Sequence, residues 1–254
     1  MISQTRQWER KEPAMTQLRI SAKTLGALAL PSFCPRCFWL KMKLGNKLPW
    51  AMFPGIFSSI DSFTKNLVYG YFEANDVLPR WLDPTGELGR PIPCPGSQRF
   101  FVDDPATGIR LTGAADAIIR TLDGEYLILD FKTARYSRHQ DELLPMYQVQ
   151  LNGYAYIAQR TGLNPVTGIG LVYCEPVTKL TEEQLAAVVK SDGFFMPFKV
   201  KGVALPLDPE AIIPRLLRKA KDILDLDRPP QAAEGCSDCQ RLAALAVLTR
   251  EVSD

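Results

Sequence analysis

The sequence predicts an α/β domain: a central mixed β-sheet with helices on both faces. Three observations point there. Two neighbouring runs, residues 109–121 and 125–133, are rich in β-branched and apolar residues and are separated by Asp123-Gly124, as in a β-hairpin. Segments with helical apolar spacing lie before and after them, at residues 57–72 and 144–160. Hydrophobic residues make up 46% of the 254-residue chain, enough to fill a sizeable core.

Taken in order, residues 1–14 read as a disordered polar tail and 15–254 as one domain. Met15 is an alternative start. Ser21 is placed to cap a short helix through residue 28, and a second helix carries Cys34 and Cys37. The stretch 78–105 is rich in Pro and Gly and reads as irregular connection. After the hairpin and the 144–160 helix, residues 168–174 read as a strand. Thr181 to Gln184 fits a capping box that opens a helix to residue 189. Residues 194–205 read as extended. Asp208-Pro209 opens a helix to about residue 226, which Pro214 is expected to kink or delay. A small segment with Cys236 and Cys239 closes the chain.

Thirty basic against 28 acidic residues give a net charge of +2, so any nucleic-acid surface must be a local patch. No apolar run reaches the ~18 residues that a membrane span needs, and the first residues lack the apolar stretch of a secretory signal. The expectation is a cytoplasmic protein with no membrane partner. In a reducing compartment, the two CxxC pairs Cys34/Cys37 and Cys236/Cys239 point to metal binding rather than disulfides. Cys94 and Cys174 have no partner spacing and read as ordinary thiols.

The hairpin carries the chemistry. A three-residue loop Leu122-Asp123-Gly124 puts Gly at the left-handed position such loops favour. Residues whose numbers sum to 246 then face each other, which sets Asp116 opposite Asp130. Directly opposed side chains share a face with Cβ atoms ~5 Å apart, and Lys132, two residues on, shares that face. A two-residue loop would split the carboxylates between faces. Two carboxylates this close among apolar neighbours repel, and a divalent ion relieves the cost. Lys132 would orient the attacking water or stabilise charge on a phosphate. For an isolated Asp-x-Lys, a solvated salt bridge is the blander alternative.

The pattern Gly-x-x-Asp, hairpin, Asp-x-Lys resembles motifs II and III of the PD-(D/E)XK nucleases. Downstream, QLNGYAY sets Gln150 and Tyr154 on one helix face and resembles the Q-x-x-x-Y motif of the RecB-like branch, which includes the CRISPR-associated exonucleases. The resemblance implies a restriction-endonuclease-like core and a Mg²⁺- or Mn²⁺-dependent deoxyribonuclease, an exonuclease acting on single-stranded DNA or DNA with free ends. Repair or CRISPR-type proteins would be its partners. It implies that Asp116, Asp130 and the Phe131 carbonyl hold the metal while a water attacks the phosphodiester in line. Gln150 would order the site, and Tyr154 would contact substrate or catalytic groups. Arg135, Arg138, Arg160, Arg36 and Lys41 are candidate phosphate contacts.

Cys34-Pro35-Arg36 is similar to the signature of members with an iron–sulfur cluster, where one N-terminal cysteine joins three near the C-terminus. Here the count is two and two. Four thiolates suffice for a [4Fe–4S] cluster or for zinc, so the N- and C-terminal segments are expected to meet at Cys34, Cys37, Cys236 and Cys239. Separate CxxC pairs are the alternative. The branch also carries a histidine on an N-terminal helix as a metal ligand. The only histidine here is His139, downstream of the Asp-x-Lys. Asp61 could supply that ligand, or could form a surface ion pair with Lys65. A catalytically inactive DNA- or protein-binding relative, stapled by zinc or a cluster, is the alternative reading of the whole chain.

Overall fold

The hairpin folds as its loop chemistry dictates. In the computed structural model, Gly124 has φ +86°, its N–H donates to the Thr121 carbonyl, and Ala117, Ile118, Ile119 and Arg120 pair with Leu129, Ile128, Leu127 and Tyr126. Every pair obeys the expected register. The structure describes residues 17–45, 55–83, 87–136 and 142–251; the tail over 1–14, Met15, Arg138 and His139 lie outside them.

In chain order the elements are β1 (Arg19–Ser21), α1 (Ala22–Gly26), a 3-10 turn (Ala27–Ala29), α2 (Pro35–Lys43), α3 (Gly55–Asn75), β2 (Arg90–Ile92), β3 (Phe101–Asp103), β4 (Arg110–Thr112), β5 (Ala117–Arg120) and β6 (Tyr126–Lys132). Then follow α4 (Leu144–Arg160), β7 (Val166–Pro176), α5 (Glu182–Val188), β8 (Val189–Lys190), β9 (Gly193–Phe194), β10 (Phe198–Leu205), α6 (Pro209–Leu224) and α7 (Ser237–Glu251).

The main sheet has the order β10-β7-β6-β5-β2. β6 and β7 are parallel, with α4 as the crossover, and the other pairs are antiparallel, so the sheet is mixed. A smaller sheet has the order β1-β4-β3. Period-two alternation divides the core. Ile118, Ile128, Ile169, Leu171 and Tyr173 pack with α4 and α6, whereas Ala117, Ile119, Leu129, Phe131 and Val172 pack with Val68 of α3. Asp130 and Lys132 therefore point to the α4 side.

Four expectations need correction. The run 109–121 is two strands in different sheets, β4 and β5, broken at Gly113-Ala114-Ala115-Asp116. At Gly113 a Cβ would lie 2.7 Å from the Phe100 ring and 2.9 Å from that of Tyr154, so the chain passes there only without a side chain. The irregular stretch 78–105 contains β2 and β3, each three residues long and too short to show alternation. Pro91 is tolerated because β2 is an edge strand. Pro214 lies inside α6, which begins at Pro209 all the same; Asp208 caps it by accepting from the Ala211 N–H. Near the helix start Pro214 forfeits only its bond to the Glu210 carbonyl. The closing segment is a 15-residue helix, α7, rather than a short tail. No helix among the described residues is long and apolar enough to cross a membrane.

Candidate active site

β6 delivers Asp130 and Lys132 to one end of the sheet, and the break before β5 delivers Asp116 beside them. One Asp116 oxygen, Oδ2, accepts the Phe131 backbone N–H at 2.7 Å. That bond continues the hairpin ladder through a side chain and fixes Asp116 against β6. Asp116, Asp130, Phe131, Lys132, Gln150 and Tyr154 line one cavity of about 480 Å³, together with Asp61, Lys23 and Tyr147.

Asp130 is 3% exposed. Its Oδ1 accepts Gln150 Nε2 at 2.9 Å, and the same amide group donates to Tyr154 Oη at 2.7 Å. The Lys132 ammonium abuts Asp130 Oδ2, is 3.5 Å from Gln150 Oε1 and sits over the Tyr147 ring at 4.3 Å. Oδ2 is buried, with the Lys132 ammonium as the partner it has among the described residues. Burial, then the negative charge of Asp116, pushes the Asp130 carboxyl up to about 6 against the opposing pull of Lys132. Two carboxylates gathered in one cavity, one of them almost fully buried, are a donor set that fits a hard divalent cation. Tyr154 is buried against Phe100 and turned towards Gln150, so its hydroxyl braces that amide. Burial, followed by the Asp130 charge, raises its pKa.

Asp61 is joined to Lys65 at 2.7 Å, the ion pair that the spacing allows. The same ammonium also lies 2.7 Å from Asp116 Oδ1. Lys65 thus bridges Asp61 and Asp116 and belongs to the cluster. The sequence shows it only as the partner of Asp61, because the approach of α3 to the hairpin is a tertiary contact. Lys23 and Tyr147 carry no sequence signal of their own and join the cavity through α1 and α4.

The phosphate-contact candidates fare unequally. Arg160 forms a two-pronged pair with Glu210 at 2.8 Å and lies over Tyr156. Arg36 donates to the Pro230 carbonyl at 2.8 Å. Arg135 is an exposed side chain 3.6 Å from Glu175.

The cysteines converge. Cys34 at the N-cap of α2 and Cys37 in its first turn meet Cys236, just before α7, and Cys239 within it; all four sulfurs lie within 4.8 Å of one another. Cys34 is 3.6 Å from Cys239, and Cys37 is 3.6 Å from Cys236 and 3.4 Å from Cys239, so none is disulfide-bonded. Tetrahedral zinc with bonds of about 2.3 Å has sulfur–sulfur edges of about 3.8 Å, close to these separations. Burial opposes ionisation of Cys34, but the Ala233 N–H and the neighbouring Cys37 N–H outweigh it and bring that thiol to about 6. Burial pushes Cys37 up strongly and Cys239 to about 11. Four free sulfurs gathered within 4.8 Å of one another fit a bound cation. The Arg36–Pro230 bond and a Trp39 indole bond to the Leu226 carbonyl close the same junction.

No curated protein matches the chain. Among solved structures, that of SSO0001 resembles it with a TM-score of 0.41 at 16% identity, over 86% of this chain and 81% of that one. A scan against protein-family models matches the PD-(D/E)XK nuclease superfamily over residues 73–243, a span that holds the hairpin, Gln150, Tyr154, Cys236 and Cys239. The chain belongs to the PD-(D/E)XK nuclease superfamily.

Proposed function

We propose that the protein is a cytoplasmic, Mg²⁺- or Mn²⁺-dependent deoxyribonuclease that acts as an exonuclease on DNA ends. One observation carries this reading: Asp116 and Asp130 line one cavity, with Asp130 almost fully buried and Lys132 paired to its Oδ2. Asp116, Asp130 and the Phe131 carbonyl would hold the ion, with Asp61 next to them. When bound, the ion polarises the scissile phosphate and its attacking water. Lys132 stabilises the charge that develops on the phosphate oxygens. Gln150 fixes Asp130 in place and is itself braced by Tyr154, so that the carboxylate need not reorganise. Cys34, Cys37, Cys236 and Cys239 hold a [4Fe–4S] cluster in the same reading, with zinc as the alternative.

A second reading has its own support. Lys65 already bridges Asp61 and Asp116 and offsets part of their charge without any metal, as expected of an inactive relative that only binds DNA or protein. The deciding experiment is cleavage of end-labelled single- and double-stranded DNA by anaerobically purified protein with Mg²⁺ or Mn²⁺. Stepwise shortening by the wild type and its loss in D116A establishes the exonuclease. DNA binding without cleavage establishes the inactive relative.

A further inference from the structure

Between β7 and β10 the chain leaves the sheet for residues 177–197, an excursion closed at its base by the Val177 N–H donating to the Pro197 carbonyl at 2.9 Å. It consists of α5 and the small β8–β9 hairpin, and α5 buries no residue. Its apolar side chains face outward: Phe194 is 79% exposed, Phe195 65% and Met196 52%. Two exposed neighbouring phenylalanines stabilise nothing in the core, and their exposure costs solubility unless something covers them.

The sheet register relates this excursion to the cavity. Lys132 of β6 stands opposite Tyr173 of β7, and Tyr173 stands opposite Lys201 of β10. Opposed residues share a face, so Lys201 lies on the same face as Asp130 and Lys132, two strands away, about 10 Å between backbones. Lys199, two residues along, shares that face and leads to the foot of the excursion. Both lysines are exposed, whereas Phe198 and Val200 alternate to the opposite face and pack there. Glu175, opposite Lys199, has Arg135 at 3.6 Å, so Arg135, Lys199 and Lys201 outnumber Glu175 at the foot of the excursion, which itself carries Lys179 and Lys190 with Glu182, Glu183 and Asp192.

We propose that this strip and the excursion are a track for single-stranded nucleic acid leading from the cavity. Lys201 and Lys199 contact its phosphates, and Phe194 and Phe195 stack on its unpaired bases. The proposal rests on the nuclease reading and extends it to the strand beyond the scissile bond. Exposed lysines on the sheet face that carries Asp130 and Lys132 favour nucleic acid over a protein partner, and aromatic faces suit unpaired bases of any sequence.

The test is binding of a fluorescein-labelled 12-nucleotide thymidine strand to the full chain in EDTA, read by anisotropy across a salt series, with cleavage assayed separately in Mg²⁺. F194A/F195A is expected to weaken binding roughly tenfold or more with an unchanged salt slope, because stacking is lost. F194L/F195L, which keeps the apolar surface but not the rings, should lose as much. K199A/K201A is expected to lower the slope of log affinity against log salt by about 1.4, the value for two phosphate contacts on a single strand. Both side-chain pairs being exposed, the melting temperatures of all three variants should stay at the wild-type value. Wild-type affinity in all three variants, with cleavage by the wild type intact, overturns the track and leaves the nuclease reading standing. A Leu variant that binds normally while the Ala variant does not overturns base stacking. Wild type that neither binds nor cleaves overturns both readings.

Discussion

Lys65 Nζ lies 2.7 Å from Asp116 Oδ1, so one carboxylate of the hairpin pair already has a cation before any metal arrives. An incoming divalent ion must displace or tolerate that ammonium. Unit charges at 4 Å interact by about 4 kcal/mol at an effective dielectric of 20, so the repulsion is not small. K65M is therefore expected to bind Mn²⁺ at least about tenfold more tightly, in calorimetric or paramagnetic-resonance titration. The same variant should melt at a lower temperature in EDTA, where Asp61 and Asp116 face each other uncompensated. Weaker Mn²⁺ binding by K65M would mean that Lys65 builds the site rather than competes for it.

D116A and K132A should each reduce cleavage by at least about a hundredfold, the scale for removing one electrostatic element from a reacting centre. Both should retain DNA binding, measured in EDTA, because most phosphate contacts come from elsewhere. C94S should cleave like the wild type, since Cys94 meets the Tyr69 hydroxyl, at 3.5 Å, and does not line the cavity. Undiminished cleavage by D116A would place the chemistry outside this cavity.

Metal-free stability should depend on pH through Asp130. Its folded pKa, about 6, lies above the ordinary carboxylate value of about 3.9. Between these values the folded state binds more protons than the unfolded one, so the contribution is fully present below pH ~4 and is lost as pH rises through ~6. The scale is about 2–3 kcal/mol. Chemical denaturation in EDTA from pH 4 to 7 should show stability falling with pH in the wild type and a flatter profile in D130N. Equal slopes in the two proteins would remove Asp130 as the cause.

C236S should lower the metal content and the melting temperature of the whole domain. The sulfurs join α2 to the start of α7, and ~200 residues lie between them. A brown protein absorbing near ~400 nm identifies an iron–sulfur cluster. A colourless protein with stoichiometric zinc identifies the alternative. Unchanged melting with unchanged metal would show that the four thiols hold no shared ion.

The hairpin register was legible because one glycine, Gly124, selects the loop, and the loop selects which residues face. Gln150 and Tyr154 were legible because helix spacing sets them on one side. Lys65 was not, since its second partner, Asp116, is 51 positions away in sequence and no local period reports such a contact. The break at Gly113 was equally hidden: its cause is the approach of Phe100 and Tyr154, which only packing reveals. β2 and β3 escaped because three residues cannot display a period. The partners of Arg36 and Arg160, Pro230 and Glu210, were hidden as well, because both contacts are long-range.

The four-cysteine junction also orders events during synthesis. Cys34 and Cys37 leave the ribosome before any strand of the main sheet, and Cys236 and Cys239 after all of them. The hairpin, the cavity and both helical layers can assemble while the first pair of thiols still waits for the second. A metal held by all four thiols would therefore be able to enter a chain whose cavity is already built. A cell short of that metal would accumulate protein with its carboxylates in place and its ends unlatched, exposed to proteases at α2 and α7 first.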